Sequence, residues 1–169
     1  MKEVAILLND MVAHGVITDY AVFGAIAQMR YTEAVATLDA DILVAVPDPN
    51  RIDVLSPIYE FCKTRGYHPE GEAIRIGDWP VQFVPAYDAL TTAAMQCAEA
   101  DHVNGVSLRV VGPDYLAVMA LKVGRAKDYA RILSLLEHKA VTRENMAKLA
   151  ERHGLAPQWH RFARRFLDE

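Results

Sequence analysis

The segment Asp41–Pro47, "DILVAVP", is apolar at every position from Ile42 to Val46. A strand with no polar residue on either face must be covered on both sides. It therefore belongs in the middle of a sheet with helices packed above and below. The residues that introduce it are opposite in character, because Asp39 and Asp41 flank Ala40. Side chains at i and i+2 of a strand project from the same face. A strand that includes both acids holds two carboxylates side by side. That pair is costly unless a cation, a basic side chain or a proton offsets it. Mg²⁺ suits such a place, since it takes hard oxygen ligands and keeps several of its waters. An Asp-x-Asp taken alone is more simply a pair of solvated turn residues ahead of a strand.

The elements around this strand follow from periodicity and punctuation. Val4, Leu7, Leu8, Met11 and Val12 recur at helical spacing, and Gly15 supplies the stop after His14. "ITDYAVFG" reads as a strand ending at Gly24, and "AIAQMRYT" as a short helix. "IDVLSPIYEFCKTRG" reads as a helix with Ile52, Leu55, Ile58, Tyr59 and Cys62 on one face and an irregular start at Pro57. "EAIRI" and "VQFVPA" form a hairpin around the turn "GDWP". "YDALTTAAMQCAEA" is a helix and "VSLRVVG" a strand.

After Gly112 the chain turns helical. "PDYLAVMALKVGRAKDYARILSLLEHKA" gives two helices. "TRENMAKLAERHG" gives a third, with Thr142 as N-cap and Gly154 as stop. "APQWHRFARRFLDE" gives a fourth, with Trp159, Phe162 and Phe166 on one face and Arg161, Arg164 and Arg165 on the other. The expected fold class is α/β (α+β). Residues 1–111 form a mixed sheet flanked by helices, and residues 112–169 form a helical portion packed on it without a Gly/Ser linker.

Composition narrows the function. The 169 residues are 52% hydrophobic and 24% charged, with a net charge of −4. A dedicated nucleic-acid binder usually carries a basic footprint, which this total does not supply. Cys62 and Cys97 form no CxxC, and they read as two buried thiols in a reducing compartment. The N-terminal stripe is interrupted by Glu3, Asn9 and Asp10, unlike a signal peptide. The longest apolar runs fall short of the ~18 residues a membrane span needs. The expectation is a soluble cytoplasmic protein. HExxH, GxSxG, GxxxxGK[ST] and GxGxxG are all absent, which leaves zinc-protease, hydrolase, P-loop and dinucleotide readings without support.

The order strand, Gly24-Ala25, short helix, Asp39-Ala-Asp41, apolar strand resembles the core of the nucleotidyltransferase superfamily, the polymerase-β-like fold. "IGDWPVQFVPAYDAL" and "PDYLAVMALKVGRAKDYARILSLL" look like segments of AbiEii-type nucleotidyltransferases, a group known as toxin components of bacterial abortive-infection and toxin–antitoxin systems. The resemblance covers Val16 to Leu136. It implies transfer of a nucleoside monophosphate from a nucleoside triphosphate to an acceptor hydroxyl. It also implies Mg²⁺ or Mn²⁺ held by Asp39 and Asp41, phosphates cradled at Gly24 and Ala25, and Lys122, Arg125, Lys127 and Asp128 near the site. The cations of "KVGRAKD" are fitted to offset phosphate charge in any case.

Two positions depart from the pattern. Ala25 stands where the family has a glycine or serine. Gln82 stands at the matching position for a third acid, with Asp78 in the preceding turn and Glu72 on the preceding strand as the acids that could substitute. The alternative that these departures favour is a catalytically degenerate module that binds nucleotide, RNA or a partner protein.

Overall fold

A computed structural model describes residues 1–167. The chain begins with α1 (Lys2–Ala13) and β1 (Asp19–Phe23), followed by the one-turn α2 (Gly24–Gln28) and β2 (Ala40–Ala45). α3 (Ser56–Thr64) leads to the strands β3 (Pro69–Glu70), β4 (Ala73–Ile76) and β5 (Trp79–Pro85). α4 (Ala89–Gln96) is followed by the hairpin β6 (Glu99–Val103) and β7 (Val106–Val110). Four helices close the described chain: α5 (Pro113–Val123), α6 (Ala126–Glu137), α7 (Arg143–Arg152) and α8 (Ala156–Phe166).

The seven strands form one mixed sheet in the order β3-β4-β5-β2-β1-β7-β6. β2 lies at its centre, antiparallel to β1 and parallel to β5. This is the place its unbroken apolar run requires, and Ile42, Leu43 and Val44 are fully buried. One hydrophobic cluster joins them to Leu8 of α1, Ile58 of α3 and Leu121 of α5, so the C-terminal helices share the core of the sheet. Thr142 caps α7 by accepting from the Asn145 N–H at 3.1 Å. Trp159 and Phe162 of α8 are buried, with Phe166 packed beside them.

The structure differs from the sequence reading at several elements: the two-residue β3 was not read, and α2 stops at Gln28 short of Thr32. The helix that contains Thr91 stops at Gln96, and Glu99–Val103 is an edge strand. Both faces of that strand are largely exposed, so it shows no alternation. Its Glu99 and Asp101 carboxylates instead pair with Arg30. Cys97 is consequently exposed, whereas Cys62 is buried, and burial pushes the Cys62 thiol up to about 12. Finally, α3 begins only at Ser56, with Pro57 in its first turn, and Ile52 stands outside the helix in solvent. Among the described residues no helix is long and apolar enough to cross a membrane.

Candidate functional site

β1 ends and α2 begins at Gly24. This residue is buried and has φ +68°, a left-handed conformation that favours glycine. A Cβ built there would run into Oδ2 of Asp41, with Cγ at 3.2 Å and Cβ at 3.3 Å. The turn therefore brings bare backbone against the carboxylate. Asp41 is the second residue of β2, in register with Phe23 on one side and Gln82 on the other. Asp39 lies one residue ahead of the strand. Its Oδ2 accepts a hydrogen bond from the Gln82 amide at 2.9 Å. The two carboxylates thus converge beside one glutamine.

The electrostatics of Asp41 describe its surroundings. Burial raises its pKa above the ordinary carboxylate value, and the charge of Asp39 adds to the effect. Arg131, Lys127 and Arg125 oppose them in that order. All three cations belong to the N-terminal half of α6 or its cap. Arg125 and Arg131 are held by Asp128, which is 1% exposed. Its carboxylate accepts from the Arg125 backbone N–H at 3.1 Å and from Arg125 Nε at 2.7 Å. It also lies 3.6 Å from Nη1 of Arg131. Nε of Arg131 donates to Oε1 of buried Gln28 at 3.0 Å, tying α6 to α2. Lys127 remains exposed at the surface of this cluster.

Sequence reasoning grouped Lys122 with these cations. In the structure its ammonium pairs with Asp88, the N-cap of α4, and lies 5.8 Å from the Tyr87 ring centre. Asp88 also accepts from the Thr91 N–H at 2.8 Å. Burial works against its ionisation, but the bonds from Lys122 and Thr91 prevail and lower its pKa to about 2. Asp128 was read as a site residue and proves to be the buried clasp of the cationic cluster. Asp78 lies in the turn between β4 and β5, and Glu72 is exposed in the turn before β4. Among the described residues no group of three His, Cys, Asp or Glu side chains converges. Arg131 and Gln28 were missed, although Arg131 follows Asp128 by three helical positions and Lys127 by four, spacings that share a face.

Compared by fold, the chain matches two solved structures along most of its length. One is an antigenic nucleotidyltransferase-like protein from Paracoccidioides brasiliensis. The TM-score is 0.55 and the identity 14%, over 93% of this chain and 90% of that one. The other is the antibiotic-resistance factor ANT(2'')-Ia, with a TM-score of 0.55 and 12% identity over 95% and 97% of the two chains. The fold is nucleotidyltransferase-like. Compared by sequence, the chain matches no family model and no curated protein. In this nucleotidyltransferase-like sheet, Gly24, Asp39, Asp41 and Gln82 meet at one end of the central strands, with the α6 cations set against them.

Proposed function

We propose that the chain binds a nucleoside triphosphate with Mg²⁺ or Mn²⁺ through Asp39 and Asp41 and moves a nucleoside monophosphate to an acceptor hydroxyl. The observation that carries this reading is the convergence of a glycine turn, two carboxylates and three cations at one end of β2. Two hard oxygen donors that repel one another fit a divalent cation of this kind. When bound, the ion neutralises triphosphate charge and orients the phosphates.

The chain's own residues supply the rest. The Gly24 and Ala25 backbone approaches the phosphates without a side chain in the way at Gly24. Arg125 and Lys127 offset their negative charge. Arg131, held by Gln28 and Asp128, offsets the charge of the Asp41 carboxylate. Lys122 anchors α5 to α4 through Asp88. The acceptor oxygen attacks the α-phosphorus, its proton passes to solvent, the bond from the α-phosphorus to the bridging oxygen breaks, and pyrophosphate leaves. Catalysis of this type is mainly positioning and charge stabilisation.

A second reading has its own support. Gln82 has no basic oxygen with which to take the acceptor proton, so a module that binds nucleotide without efficient transfer fits the same geometry. Within the fold, the segments around Trp79 and Lys122 favour an AbiEii-type assignment and a cytoplasmic toxin–antitoxin setting. Calorimetry with nucleoside triphosphates and Mg²⁺, beside incorporation of α-labelled nucleotide, tests both readings. Binding with transfer supports the enzyme and binding alone the module. Absence of binding removes both.

A further inference from the structure

We infer that the Asp39–Asp41 pair takes one divalent cation and not two, because Gln82 puts a hydrogen-bond donor where a third carboxylate would hold the second ion. The inference rests on the nucleotide-binding reading above. The key atom is Nε2 of Gln82, 2.9 Å from Asp39 Oδ2. An ionised carboxylate can only accept, so the amide nitrogen and not its oxygen must face it. Turning the amide over would set two oxygen acceptors against each other. A second ion between Asp39 and strand β5 would therefore meet N–H groups on one side.

Among the described residues no other side chain replaces the missing acid. Gln82 is in register with Asp41 across parallel strands, so the two side chains leave the same face of the sheet. Among the described residues no third Asp, Glu, His or Cys joins the pair to form a metal-binding group. Mg²⁺ demands nearly ideal octahedral oxygen coordination, and a carboxamide that presents its nitrogen gives it none.

The side chains around the pair balance one another before any ion is bound. Asp39, Asp41 and Asp128 are matched by Arg125, Lys127 and Arg131. One divalent ion leaves the cluster with two positive charges, an excess suited to an anionic triphosphate. The single-ion site also has no acid at position 82 to accept the acceptor's proton.

The test is an ion count on the full chain. Mn²⁺ is titrated into the protein with a non-hydrolysable nucleoside triphosphate analogue, and bound Mn²⁺ is counted by electron paramagnetic resonance. The wild type binds one Mn²⁺ per chain. Gln82→Asp or Gln82→Glu binds two, the second at least tenfold tighter than any second ion on the wild type. Two ions on the wild type overturn the inference. So does a single ion on both acid variants, provided circular dichroism shows them folded and the analogue still binds. If the analogue fails to bind the wild type, the nucleotide reading falls, and a titration with Mn²⁺ alone decides the ion count. One ion, lost in Asp41→Asn, keeps the single-cation site, whereas two ions or none overturn it.

Discussion

Gly24 and Asp41 sit so close that no side chain fits between the turn and the carboxylate. A Cβ at Gly24 would collide with Oδ2 of Asp41, and φ +68° would strain it further. Gly24→Ala therefore costs about 1–2 kcal/mol from the left-handed backbone alone, with the displaced carboxylate in addition. Thermal melting should show the loss of stability. Nucleotide titration should show a larger relative loss of affinity than a distant substitution of equal stability cost.

Asp128 is the residue on which the cationic face of α6 depends. Asp128→Ala leaves the Arg125 N–H without its acceptor and Arg131 without its nearest carboxylate. Removing one member of a buried ionic network costs about 3 kcal/mol or more. Denaturant melts should show a fall of that order. Arg131→Lys keeps the charge but loses the Nε bond to Gln28, and is expected to fall between the wild type and Asp128→Ala.

The Asp88–Lys122 pair gives a pH signature separate from the site. The folded pKa of Asp88 is lowered from 3.8 to about 2. Its stabilising contribution is therefore present above the unfolded value and lost as pH falls through the folded one. Asp88→Ala should cost about 1 kcal/mol at neutral pH as a lost helix cap. The difference from wild type should shrink as pH falls below 4. Thermal melts across that range check the sign.

Lys127, exposed at the surface, is expected to act on nucleotide affinity more than on folding, whereas Arg125, whose guanidinium also bonds buried Asp128, acts on both. Charge-assisted bonds to phosphate predict a loss of about tenfold in affinity for Arg125→Ala or Lys127→Ala, shrinking at high salt. Lys122→Ala should leave affinity nearly unchanged, because its ammonium is spent on Asp88. Calorimetry at two ionic strengths separates the three variants.

Much of this arrangement was legible in the sequence for physical reasons. An apolar run with acids at its mouth has few places to go but a sheet centre, and β2 occupies it. Local chemistry at Gly24 and Thr142 likewise marked real element ends. The β6 strand was missed because an exposed edge needs no alternating pattern. A local signal was nevertheless present. Asn104 and Gly105 both adopt positive φ, 47° and 80°, and join β6 to β7 as an Asn-Gly hairpin turn does. The partners of Lys122 and Arg131 were out of reach for another reason. Lys122 meets Asp88 and Arg131 meets Gln28 across long stretches of chain, and no local pattern encodes which carboxylate or amide a distant cation will find.

The central claim is that Asp39 and Asp41 together bind a nucleoside triphosphate through a divalent cation. Calorimetric titration of a nucleoside triphosphate into wild type and into Asp39→Asn/Asp41→Asn, each with and without Mg²⁺, tests it most directly. The account predicts Mg²⁺-dependent binding to the wild type and loss of that dependence in the folded double variant. Equal, Mg²⁺-stimulated binding to both proteins would contradict it.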